Sequence, residues 1–166
     1  MNKKVINISL IGMPGSGKTT IGEKLASKLN LNFQDSDHLI ESENKSTIQS
    51  ILDNEGYLEL RAKEENIILN CDITNSVLAT GGSAVYSEKA MEFLSHNSLI
   101  VYLDIPIDVV MQRVGDYSNR GFAEPNDKSP EDVFSQRTKL YLKWSHLKID
   151  GSEDIDSVVD NIIASI

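Results

Sequence analysis

At 166 residues, with 40% apolar and 25% charged side chains, the chain has the size and balance of one globular domain, which excludes a disordered protein and any need for disulfide or metal staples. A net charge of −9 opposes nucleic acid and anionic membrane as partners, because both are bound by clustered Lys and Arg. Cys71 is the only cysteine, so there is no disulfide framework, and His38, His96 and His146 lack the spacing of metal sites.

Lys3 and Lys4 ahead of VINISLI imitate a signal peptide only faintly, since the run contains Asn7 and Ser9 and leads into a glycine loop without a cleavage pattern. No apolar stretch reaches the ~18 residues of a membrane span, and a cytoplasmic protein is expected. Val5 to Ile11 reads as a buried strand, and Ile21, Leu25 and Leu29 recur at helical spacing over 17–29. A short strand near Leu31–Phe33 is followed by mostly helical text from Ser36 to Asn70. Val77–Ala79 is a third strand, 87–95 a helix, and Leu99–Leu103 a fourth strand. Pro106 starts a helix over 106–114, and 115–130 holds the densest loop chemistry in the chain, a length that suits a functional lid. Ser129-Pro130-Glu131-Asp132 opens a helix to about Trp144, Leu147–Asp150 makes a last strand, and 154–165 a closing helix. Strand–helix alternation of this kind predicts an α/β fold, a parallel sheet covered by helices on both faces, with ligands beyond the carboxyl ends of the strands. The Gly81-Gly82-Ser83 turn follows the third strand, so it falls on that rim.

Gly12-Met13-Pro14-Gly15-Ser16-Gly17-Lys18-Thr19 fits G-x-x-x-x-G-K-[ST], with a strand before it and an amphipathic helix after it. Glycines let backbone N–H groups curl around an anion at a helix N-terminus. Lys18 is placed to reach the β- and γ-phosphates and the Thr19 hydroxyl to bind Mg²⁺. Gly12, Gly15, Ser16, Gly17, Lys18, Thr19 and Thr20 form the nucleotide-contacting set. A dinucleotide site fails, because Thr20 stands where its third glycine belongs, and no G-x-S-x-G elbow surrounds Ser16 or Ser83. The ligand is read as a nucleoside triphosphate, ATP, and the short chain favours a small-molecule kinase over a switch or motor.

Asp35 and Asp37, spaced i, i+2 at the end of the second strand, can divide labour. One would hold Mg²⁺ through water while the other orients or deprotonates an acceptor hydroxyl. The alternative is that Ser36 or Asp37 merely caps the following helix. Spread negative charge in phosphoryl transfer calls for cationic clamps, and the candidates are Arg61, Arg113, Arg120 and Arg137, with Arg120 inside the lid.

In order, GMPGSGKTTIG, FQDSDHLIE, EGYLELRAKEE, LATGGSAV, SNRG and QRTKLY resemble the motifs of the shikimate kinase family over nearly the whole chain. The resemblance implies a three-layer αβα P-loop kinase fold with a five-stranded parallel sheet. It implies a core of 1–35, 64–114 and 129–166, a substrate-binding lobe near 36–63 and a lid near 115–128. Asp37 would bind the acceptor's hydroxyls and serve as base, and Asp35 would hold magnesium's water beside Thr19. Arg61 and Arg137 would grip the substrate carboxylate. Arg113 would pack near adenine, Arg120 would close on the phosphates as a catalytic group with Lys18 and Asp37, and Gly81 and Gly82 would offer backbone to substrate and γ-phosphate.

The implied reaction is phosphorylation of the 3-hydroxyl of shikimate, a small-molecule acceptor, by a monomeric enzyme. The chain departs from the family at Ser83, which replaces a third turn glycine, at Arg120-Gly121-Phe122 in the lid, and at Arg137-Thr138-Lys139-Leu140-Tyr141. A P-loop kinase of another small hydroxy acid or metabolite, of the gluconate or nucleotide type, or a non-catalytic nucleotide-binding switch, stays open from the residues alone.

Overall fold

The computed structural model describes residues 6–114, 122–125 and 127–166. Five parallel strands form one sheet: β1 (Ile8–Ile11), β2 (Asn32–Asp35), β3 (Ser76–Ala79), β4 (Leu99–Asp104) and β5 (Leu147–Asp150). Their order across the sheet is β2-β3-β1-β4-β5. The helices are α1 (Lys18–Leu29), α2 (Ser36–Asn44), α3 (Ile48–Glu55), α4 (Tyr57–Asn70), α5 (Glu88–Asn97), α6 (Ile107–Val114), α7 (Pro130–Trp144) and α8 (Ile155–Ala164).

The period of two along each strand divides the core into two layers. Ile8 and Leu10 of β1, Val77 of β3, and Val101 and Leu103 of β4 pack with Ile21 and Leu25 of α1 and Val158 and Ile162 of α8. Ile11, Leu78, Ile100 and Tyr102 point the other way, onto Ile68 of α4, Met91 and Leu94 of α5, and Tyr141 of α7. Helices therefore cover both faces, as the alternation of elements implied. A third, smaller cluster joins Ile40 of α2, Ile51 of α3 and Leu60 of α4 with Ala123. Among the described residues no helix is long and apolar enough to cross a membrane.

Among the described residues the expected strands and helices are found with shifted limits, while Val5 of the expected first strand and 115–121 and 126 of the expected lid lie outside them. The second strand runs to Asp35 because β2 pairs in parallel with β3 from Asn32 opposite Ser76 to Asp35 opposite Ala79. Polar Gln34 and Asp35 hid that extension from a hydrophobic pattern. The long helical text of 36–70 is three helices, broken where Lys45 takes a left-handed φ of 50° and Gly56 one of 88°. Since α4 is continuous, a boundary between residues 63 and 64 falls within it.

Topology then does the positioning. The loops after β1, β2 and β3 leave the sheet at the same edge, and β1 sits between β3 and β4 where the strand order reverses. The phosphate loop, the Asp35–Asp37 segment and the Gly81–Gly82 turn meet there.

Candidate active site

Gly15 and Gly17 have φ of 79° and 93°, values that the loop needs to wrap back on itself and that side chains resist. Ser16 N–H donates to the Met13 carbonyl at 3.0 Å, closing the turn. Lys18 folds back inside it, its Nζ donating to the carbonyls of Gly12 and Met13, both at 2.8 Å, and to Ser16 Oγ at 3.3 Å. Burial lowers its pKa to about 8 against the pull of Asp37, Asp35 and Glu64. An ammonium held on neutral carbonyls in a dry cradle is poised for an anion. Arg113, on α6, donates from Nη1 to the Gly15 carbonyl at 3.2 Å, so it stands beside the loop. Arg120, read as closing on the phosphates, lies outside the described residues.

Asp35 ends β2 and serves two neighbours at once. Its Oδ2 accepts from the Thr19 hydroxyl at 2.7 Å, and its Oδ1 accepts from the backbone N–H of Asp37 at 2.9 Å. The cap of α2 is thus Asp35, rather than Ser36 or Asp37. Ser36 instead accepts the Gly81 N–H on its Oγ at 2.9 Å, tying the β2 and β3 loops together. Asp37 is left with its side chain toward the cleft. Burial and the Asp35 charge raise its pKa to about 6, with Lys18 opposing. A carboxyl of that value changes protonation near neutrality, which suits proton exchange with a hydroxyl.

Two cavities adjoin along one wall. One, of about 320 Å³, is lined by the phosphate loop and Thr80. The other, of about 360 Å³, reaches His38, Glu41, Leu60, Glu64, Phe122 and Arg137. Pro14, Thr19, Asp35, Asp37, Gly81 and Gly82 line both. The glycines of that wall are demanded by space. A Cβ on Gly81 would lie 2.2 Å from Glu64 Oε1 and 2.8 Å from Asp37 Oδ1. A Cβ on Gly82 would lie 2.7 Å from both Arg137 Nη1 and Pro14 Cδ.

Arg137 and Tyr141 are four residues apart on α7 and so share its buried face. Arg137 is only 1% exposed, and the Tyr141 hydroxyl donates to the Gly82 carbonyl at 2.7 Å, fixing the turn over the arginine. Arg61, on α4, is not among the described residues lining either cavity. Its Nε donates to the Ala123 carbonyl at 2.8 Å, and its guanidinium lies over the Tyr86 ring, 3.8 Å from the centroid. Arg61 and Arg137 do converge, but on a carboxylate of the chain itself: Glu124 Oε2 lies 3.1 Å from Arg61 Nη2, and Glu124 Oε1 lies 3.3 Å from Arg137 Nε.

Several groups here escaped the sequence reading. Glu64 stands one helical turn from Arg61, within a quoted motif, yet nothing in its spacing announced a buried acid. It is 3% exposed and accepts from Ser83 Oγ at 2.5 Å, while its Oε1 has no hydrogen-bond partner among the described residues. Burial first, then the Asp37 charge, raise its pKa to about 7. Ser83, flagged only as a departure, is its donor. Tyr86 and Glu124 carried no local signal, because only the fold brings them to the arginines.

The arrangement offers an anion cradle, a neighbouring polar cavity and a titrating carboxyl on the wall between them. A family model described as shikimate kinase matches residues 14–166. Shikimate kinase 2 of Shigella boydii is 30% identical over 162 residues, covering 95% of this chain and 93% of that protein. The structure of shikimate kinase from Acinetobacter baumannii in complex with shikimate superposes with a TM-score of 0.86 at 32% identity, covering 98% of this chain and 93% of the other. That of Aquifex aeolicus shikimate kinase gives 0.82 at 30% identity, covering 95% and 94%. A gluconokinase from Sinorhizobium meliloti, at 16% identity and a TM-score of 0.57, shares the fold alone.

Proposed function

This chain belongs to the shikimate kinase family, and from that premise we propose that it transfers the γ-phosphoryl group of ATP to the 3-hydroxyl of shikimate. The observation that carries the reading is the wall common to the two cavities. A phosphoryl donor in one cavity and a hydroxyl acceptor in the other would meet at that wall.

On the donor side, the phosphates take the loop of Gly12, Gly15, Ser16 and Gly17 with the Thr20 backbone, and Lys18 exchanges its carbonyl partners for phosphate oxygens. Arg113 serves the nucleotide beside Gly15, and Arg120 is assigned to the phosphates as a clamp on the charge of the transition state. The Thr19 hydroxyl and the Asp35 carboxylate, already paired at 2.7 Å, are a hard oxygen pair that fits Mg²⁺ carried by the nucleotide. Among the described residues no cluster of three acidic, His or Cys side chains could hold a metal. Bound there, the ion would neutralise phosphate charge.

On the acceptor side, Asp37 receives the 3-hydroxyl. Its oxygen attacks the γ-phosphorus, the bond from that phosphorus to the β–γ bridging oxygen breaks, and the hydroxyl proton passes to Asp37. The Gly81 and Gly82 backbone lies against the reacting groups, and Arg61 and Arg137 supply the charge for the acceptor's carboxylate. The lobe of 36–63 lies on the acceptor side, and the lid assignment of 115–128 follows Arg120. The enzyme is assigned to the cytoplasm as a monomer. A coupled assay of ADP release over shikimate and other small hydroxy acids tests the assignment. Turnover strongly stimulated by shikimate is expected, and equal or greater stimulation by another hydroxy acid would overturn it.

A further inference from the structure

Arg61 and Arg137 are the groups assigned to the acceptor's carboxylate, and in this chain they already hold one. Glu124 brings a carboxylate only 3% exposed between them. The Tyr86 hydroxyl donates to its Oε1, and Lys128 Nζ lies 3.3 Å from its Oε2. Phe122 and Ala123 line the acceptor cavity, and Ala123 also takes the Arg61 Nε–H on its carbonyl. Arg61 is therefore tied through its Nε–H to a stretch that lines the cavity Arg61 is meant to serve. Three cations surround this single carboxylate, and Nη2 of the buried Arg137 has no hydrogen-bond partner among the described residues. The place is built for carboxylate and is not saturated by the one it holds.

We propose that Glu124 is an affinity-determining residue, an internal competitor whose carboxylate occupies the acceptor's carboxylate position and must be displaced when the acceptor binds. The inference rests on the acceptor assignment above. Its physical logic is an exchange of like for like. A buried guanidinium without a counter-charge is costly, so an empty site needs an anion of its own. An incoming carboxylate leaves both arginines compensated throughout, and Glu124 moves toward solvent with Lys128, four residues along and itself partly exposed. Apparent acceptor affinity is then the intrinsic affinity reduced by the fraction of molecules in which Glu124 holds the site.

The test is E124Q, which keeps shape and an oxygen for Tyr86 but removes the charge, with E124A as a second variant should the first fold poorly. Shikimate KM and kcat, ATP KM, and shikimate binding by calorimetry are measured in each folded variant and the parent. The expected result is a shikimate KM and Kd lower by about tenfold, the worth of one charge-assisted contact, with kcat not reduced and ATP KM unchanged. An unchanged or raised KM and Kd in a chain that does phosphorylate shikimate overturns the inference alone, since Glu124 would then position the arginines or do nothing. If the parent neither binds nor phosphorylates shikimate while E124Q does, the competitor stands and the acceptor assignment falls for the parent. If neither protein binds shikimate, both fall.

Discussion

Gly81→Ala places a methyl group where the fold has two acid oxygens. The new Cβ would lie 2.2 Å from Glu64 Oε1 and 2.8 Å from Asp37 Oδ1, where ordinary contact begins at 3.4 Å. Neither the backbone nor the obstacle can retreat freely. Gly81 N–H is bonded to Ser36 Oγ at 2.9 Å, and Glu64 is buried with its other oxygen on Ser83. Overpacking of this kind costs about 1–3 kcal/mol, equivalent to roughly 2–12 °C in Tm for a chain of this size. Relief by pushing Asp37 aside moves the acceptor's hydroxyl partner, and a displacement of ~1 Å costs on the order of a hundredfold in rate. Thermal unfolding and steady-state kinetics of Gly81→Ala, Glu64→Ala and the double variant form a cycle. The cost in Tm of Gly81→Ala should shrink by at least half in the Glu64→Ala background. An equal cost in both backgrounds would refute the steric reasoning, because Glu64 would then not be what the methyl meets.

Thr19→Val removes the hydroxyl paired with Asp35 while keeping the volume. Stability should fall by only about 0.5–1.5 kcal/mol, whereas the Mg²⁺ concentration needed for half-maximal turnover should rise at least about tenfold. A Mg²⁺ dependence like the parent's would remove Thr19 from the metal's surroundings. The raised carboxyls also give stability a sign with pH. Burial holds the folded Glu64 proton to about 7 against an ordinary 4.5, so the native chain binds it more tightly than the unfolded chain. The stability it lends is complete below pH 4.5 and is lost as pH climbs through about 7. Asp37 acts in the same sense between 3.8 and about 6, while Lys18, lowered from 10.5 to about 8, returns stability above 8. Urea midpoints should therefore fall between pH 4.5 and 7 in the parent and fall less in Glu64→Gln; parallel curves would deny Glu64 that role.

The parts legible in sequence are those where chemistry constrains the local chain. The phosphate loop announces itself because a backbone cradle needs glycines at fixed offsets before a lysine and a hydroxyl. The core was readable because strands buried on both faces, such as ISLI and LIVYLD, are apolar runs of strand length. The helix cap was expected of Ser36 or Asp37 and falls instead to Asp35, because one oxygen of that carboxylate takes the Asp37 N–H while the other takes the Thr19 hydroxyl, a division that spacing alone does not show. Ser83 looked like a lost glycine, and its meaning required Glu64, nineteen residues away in sequence and 2.5 Å away in space. Glu124 was illegible altogether. A glutamate in a polar loop is ordinary text, and only the fold sets it between Arg61 and Arg137.

The central claim is that a hydroxyl held at Asp37 takes the phosphoryl group while the arginines hold the carboxylate. Its most direct measurement is the position of phosphate in the product, read by ³¹P–¹H correlation after incubation with ATP, Mg²⁺ and shikimate. Phosphate on the 3-oxygen is the expected result, formed by the parent and not by Asp37→Asn. Phosphate on another hydroxyl, release of inorganic phosphate alone, or undiminished product from Asp37→Asn would contradict it.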